Sequence, residues 1–112
     1  MIRLGLLIAV SAAVSPVSLT VTPSVVSPGH LVLIRGSAGS CPTGDTVTVL
    51  SRAFPRTHSF AGVPAVWAKV GAGGRFRATT RIPAGRRAGR YVVTARCGGG
   101  NLGVAAHLTV RR

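Results

Sequence analysis

Past residue 18 the chain is written in short runs in which apolar and polar positions alternate. Along 75–82, Phe76, Ala78, Thr80 and Ile82 fall on one side, and Arg75, Arg77, Thr79 and Arg81 on the other. Successive side chains of a strand point to opposite faces, so this period of two predicts a β-strand with one face buried. The same pattern over 91–97 places Tyr91, Val93, Ala95 and Cys97 inward and Arg90, Val92, Thr94 and Arg96 outward. Over 104–110 it buries Val104, Ala106, Leu108 and Val110 and leaves His107, Thr109 and Arg111 for solvent, while Val47 and Val49 point inward from 46–51. With 19–22, 31–35 and 65–70 these make seven predicted strands.

The segments between them are PSVVSPGH, GSAGSCPTGD, GAGG, PAGRRAG and GGGNLG. Glycine supplies positive φ, and proline fixes φ while removing a donor, so these read as turns, GAGG and GGGNLG as hairpin turns. No segment of helical length carries a stripe of period 3.6. The fold class is therefore all-β: a seven-stranded antiparallel sandwich of two sheets with Greek-key connections. One run departs from clean alternation. LVLI at 31–34 is apolar on both faces, which implies either a covered outer face or a contact patch around Leu31 and Leu33.

The first eighteen residues are different. A basic start at Arg3 precedes an apolar stretch over 4–10 and small residues through Ala13. A membrane span needs about 20 apolar residues, and this run ends at roughly half that before Ser15 and Pro16. It reads as a signal peptide (1–18), cleaved after Ala13 or nearer Ser18, ahead of one domain at 19–112 that does not span a membrane. A domain of this size has a modest core, and export carries it to a compartment where thiols oxidise. Cys41 and Cys97 are the two cysteines, and no CxxC or HxxxH spacing offers them metal partners among His30, His58 and His107. A Cys41–Cys97 disulfide is expected.

Taken together, LTVTPSVVSPG, LVLIRG, CPTGDTVTV, GRFRATTRIPAGRRAGRYVVTARCGG and the late LTV resemble the bacterial Ig-like modules of secreted and cell-wall proteins in high-GC Gram-positive organisms. The resemblance covers nearly all of the mature chain. It implies an Ig-like sandwich without implying enzymatic activity. It departs from the antibody pattern, because Trp67 does not follow the first cysteine by one strand's length. In the implied topology Cys41 precedes the third strand and Cys97 ends the sixth, so the bridge pins one pole. Tyr91 in AGRYVV resembles the corner tyrosine of such sandwiches, with its ring inside and its hydroxyl on a backbone group. The fifth and sixth strands would belong to opposite sheets.

Catalysis is argued against by composition. Asp45 is the sole carboxylate, so neither a paired-carboxylate acid/base site nor a multi-carboxylate metal site can be assembled in one subunit. No G-x-S-x-G turn presents a nucleophilic serine. Asp45 is expected to cap its turn or pair with an arginine. No cofactor, metal site or small-molecule substrate is expected.

Recognition remains. Phe54, Phe60 and Trp67 lie in or beside the least regular stretch, and they are either core residues or an exposed aromatic contact surface. Fourteen basic residues face one acid, a net +13 that falls to +12 when Arg3 leaves with the leader. Such a charge attracts polyanions at low salt, although a solvated basic surface is the plain alternative. The densest cluster is Arg86, Arg87 and Arg90, with Arg111 and Arg112 at the tail. Two functions are expected: a secreted, non-catalytic Ig-like module that binds a protein or glycan of the cell envelope, or an arginine-rich surface protein for polyanions such as an envelope polymer, anionic lipid or extracellular nucleic acid.

Overall fold

The computed structural model describes residues 16–112. The predicted leader lies outside these residues up to 15, and Val17 and Ser18 already belong to the first strand. Cleavage after Ala13 would keep that strand whole.

Nine strands form among the described residues: β1 (Val17–Thr22), β2 (Val25–Val26), β3 (Leu31–Ala38), β4 (Thr46–Leu50), β5 (Ser59–Phe60), β6 (Val63–Lys69), β7 (Arg75–Arg81), β8 (Gly89–Cys97) and β9 (Gly100–Val110). They make two sheets, one ordered β1-β3-β7 and one ordered β2-β9-β8-β4-β6-β5. All pairs are antiparallel except β2 and β9, which run parallel over Val25–Val26 and Thr109–Val110. The count exceeds the expected seven because β2 and β5 have two residues each, too few to show alternation.

The core lies between the sheets. Val32 and Ile34 from β3 and Phe76 from β7 meet Val47 and Val49 from β4, Val93 and Ala95 from β8, and Leu108 and Val110 from β9, all buried. Ile82, just past β7, is completely buried, as the alternation predicts. Ala78, Thr80, Val104 and Ala106 share the inward phase but are only half-buried. Leu31 and Leu33 point outward. Leu31 is 53% exposed, so the double-sided apolar run is not explained by a covered face at that position.

Gly36 sits inside β3 opposite Phe76. A Cβ there would run into the Ser18 carbonyl and come within 2.6 Å of the Phe76 ring. The glycine makes room for the largest core side chain of the smaller sheet, and β3 runs on through it to Ala38.

The link from β6 to β7 is not the hairpin turn expected of GAGG. β6 and β7 belong to different sheets, and Ala72–Gly74 forms a 3-10 turn at the crossing, with Gly73 at φ 72° and Gly74 at φ 80°. Gly74 also lies against the Gly39 backbone, where a Cβ would come within 2.9 Å of the Gly39 carbonyl oxygen. GGGNLG does form the β8–β9 hairpin, with Cys97 opposite Gly100.

Cys41 and Cys97 are disulfide-bonded, with Cα atoms 6.1 Å apart. Cys97 ends β8 opposite Val47 near the start of β4, so the bond closes one pole, as the resemblance implied. At the other pole the Arg86 guanidinium donates from Nε to the Ala53 carbonyl at 3.2 Å and from Nη2 to the Phe54 carbonyl at 3.1 Å. The hydroxyl of Tyr91 donates to the Arg87 carbonyl at 2.6 Å while its ring packs on the core, the arrangement of a corner tyrosine. The adjacent antiparallel strands β4 and β8 are thus clipped at both ends.

Candidate partner-binding surface

The outer face of the larger sheet carries the exposed aromatic rings. The inward phase of β6 is held by Pro64, Val66 and Ala68, which turns Trp67 and Lys69 outward. Register places Trp67, Thr48 and Arg96 in one row across β6, β4 and β8. Trp67 is 53% exposed, and the imidazole of His58 stacks on it with ring centroids 4.2 Å apart and planes 19° from parallel. A cleft of about 360 Å³ opens beside the pair, bounded by Pro55, Thr57 and Thr80.

Phe60 is 38% exposed, and the Arg96 guanidinium lies 4.9 Å over its ring. Arg96 also donates from Nη2 to the Gly99 carbonyl, which fixes it between the β5–β6 hairpin and the β8–β9 turn. A second cleft of about 340 Å³ adjoins, lined in part by Leu50, Val63, Val92 and Arg90. Val92 is half exposed.

Phe54 does not belong to this surface. It is completely buried, with its backbone amide on the Ser51 carbonyl and its own carbonyl on Arg86. The irregular loop folds inward there, because Ser51 Oγ accepts the Ala53 amide at 3.1 Å and closes a tight turn. Of the three aromatic candidates, the fold brings Phe60 and Trp67 to the surface and sends Phe54 to the core. Sequence reasoning passed over His58 as a partner for Trp67. The ring pair sits nine residues apart across a loop, and no periodicity reports that contact.

The basic candidates divide by what they touch. Arg86 is committed to the Ala53 and Phe54 carbonyls, and Arg112 reaches the Ala84 and Arg86 carbonyls at 3.4 Å. Arg87 and Arg90 are exposed beside Tyr91, and Arg111 follows β9. Arg75, Arg77 and Arg81 face outward from β7 in the smaller sheet, away from Arg90 and Arg96 in the larger one.

The Asp45 carboxylate is exposed and makes neither a cap nor a hydrogen bond to an arginine among the described residues. The turn is closed instead by backbone bonds, Asp45 N–H to the Pro42 carbonyl and Val70 N–H to the Asp45 carbonyl. Asp45 lies within 4.8 Å of the Cys41 and Cys97 sulfurs. Those sulfurs are bonded to each other and offer no thiolate to a metal.

No known protein family matches the sequence, and no curated protein matches it either. Solved structures do. An alkylpurine DNA glycosylase from Pseudomonas fluorescens, AlkC, bound to DNA containing an abasic site analogue, is 25% identical with a TM-score of 0.58, over 85% of this chain and 29% of that one. This chain therefore corresponds to less than a third of the glycosylase. Macromomycin is similar at 14% identity and a TM-score of 0.54, over 85% of this chain and 97% of that one, a likeness of fold alone.

Proposed function

We propose that this chain is an exported, non-catalytic Ig-like module with Greek-key connections that binds a protein or glycan of the cell envelope through the outer face of its larger sheet. The observation that carries the reading is Trp67, a large ring held half in water and kept in one orientation by the stacked His58. Preordered aromatic side chains with an adjoining cleft are what recognition sites are built from, since they add contact area at low cost in conformational entropy. The disulfide fits an oxidising, non-cytoplasmic compartment. No helix among the described residues is long and apolar enough to cross a membrane. The likeness to one part of a DNA-bound glycosylase supplies DNA as a control ligand.

The test is capture from the producing cell's envelope fraction with the immobilised disulfide-bonded domain and its Trp67→Ala variant. Capture that survives high salt and falls at least tenfold on Trp67→Ala is the expected result. Capture by both proteins alike would sink the reading.

A second reading, that the chain binds polyanions, is favoured by a separate observation. Many guanidinium groups, Arg87, Arg90 and Arg111 among them, have no hydrogen-bonded partner among the described residues, and the whole chain holds one acid. Its mark is retention on an anionic polymer that falls steeply with ionic strength.

A further inference from the structure

The outer face of the three-stranded sheet concentrates charge that alternation alone seemed to scatter. Antiparallel register sets Arg35 of β3 directly opposite Arg77 of β7, with Thr20 of β1 on its other side. The next row outward holds Ser18, Ser37 and Arg75. Like charges placed opposite one another on a sheet oppose folding. The sole carboxylate, Asp45, lies in the loop before β4 and supplies no counter-ion within these rows.

Arg81 on the same face is committed, since its Nη1 donates to the Gly29 carbonyl at 2.7 Å. Arg35, Arg75, Arg77 and Lys69 are exposed and make no side-chain hydrogen bond among the described residues. These four cations, with Ser18 and Thr20, line a cleft of about 710 Å³, larger than either cleft beside the exposed rings. A paired arrangement of planar, forked donors above a shallow groove suits tetrahedral oxyanions, which guanidinium groups bind bidentately.

From this geometry we propose that the β1-β3-β7 face is a binding site for a linear phosphodiester polymer without bases, such as poly(glycerol phosphate), with Arg35 and Arg77 as the central clamp. Two points select this occupant. Arg75 and Arg77 are two residues apart on one strand, about 7 Å, a spacing that suits successive phosphates joined by a three-carbon linker. The face also lacks an exposed ring. Phe76 contributes to the cleft wall but is only 4% exposed, its ring packed toward Gly36, and the exposed rings of Phe60 and Trp67 stand on the other sheet. Single-stranded nucleic acid is held by aromatic stacking as well as charge, and this face offers cations and hydroxyls without an exposed ring to stack on.

The inference rests on the polyanion reading and is tested so that the two can fail separately. Binding of lipid-free poly(glycerol phosphate) is measured by calorimetry over a salt series for the native chain, for Arg35→Gln/Arg77→Gln, and for Arg52→Gln/Arg56→Gln, which removes two exposed arginines of the β4–β5 link. A single-stranded oligonucleotide of equal phosphate number is run beside it. The Arg35/Arg77 variant is expected to lose at least tenfold in affinity. Its log–log salt slope should fall by about 1.4, two contacts at ~0.7 each on a flexible chain. The Arg52/Arg56 variant should stay within about threefold of the native chain, and the oligonucleotide should bind no more tightly than the base-free polymer. Thermal unfolding shows that the variants fold, and removing a like-charge pair should leave the midpoint level or higher. Binding that the Arg35/Arg77 change leaves intact, or that both variants weaken equally, overturns this site while the polyanion reading stands. Tighter binding of the oligonucleotide, lost with Trp67→Ala, overturns the base-free occupant. No binding of either polymer removes the polyanion reading and the site together.

Discussion

Gly36 shows how one missing atom shapes a strand. By pattern it reads as a stop after LVLIR, yet β3 passes straight through it because the Phe76 ring and the Ser18 carbonyl fill the space a Cβ would take. Gly36→Ala forces a shift in backbone as well as ring. Overpacking of this kind costs about 1–3 kcal/mol, so the thermal midpoint should drop by at least ~4 °C. Gly36→Ala/Phe76→Leu should recover none of the strain against Ser18. A midpoint unchanged by Gly36→Ala would show that the ring and carbonyl yield freely. Period-two reading reports which face a residue occupies and not what stands across from it. For the same reason Phe54 and Trp67, both aromatic residues in an irregular stretch, could not be told apart until the Ser51 turn sent one to the core and β6 turned the other to solvent.

Among the elements, strands with four or more alternating residues were legible, and two-residue strands were not. β7, β8 and β9 follow the predicted faces, and the disulfide and Tyr91 stand where the implied topology put them. The glycine-rich GAGG was misread because its composition signals a reversal without saying into which sheet the chain returns. The Cys41–Cys97 bond encloses 57 residues, from a sequence separation of 56. Loop-closure entropy for that length corresponds to roughly 4 kcal/mol, a large share of the ~5–15 kcal/mol a domain holds. Cys41→Ala/Cys97→Ala should therefore lower unfolding stability by 2 to 4 kcal/mol, ~half or more of that entropy. Urea titration of the variant against the native chain reads this directly, and coincident curves would show that the bond constrains little.

At the scale of the molecule, the two outer faces differ in chemistry. One presents rings flanked by Arg96, and the other presents cations and hydroxyls without an exposed ring. Alternation placed Arg75, Arg77 and Arg81 outward but could not show that Arg35 stands beside Arg77, because cross-strand register depends on pairing over long sequence distance. That gap explains why the charge looked dispersed along the chain and is grouped in space.

Strands β4 and β8 are fastened at one end by a covalent bond and at the other by a guanidinium gripping two carbonyls. Amides of Val49, Val93 and Ala95, midway between those fastenings, should be among the last to take up deuterium in native-state exchange, while those of Phe60 and Val63 exchange early. The surface bearing Trp67 would then ride on a rigid spine with a loose hairpin beside it, so that the hairpin can adapt to a visitor without disturbing the frame. Uniform exchange across β4, β5 and β8 would dismiss that division of labour.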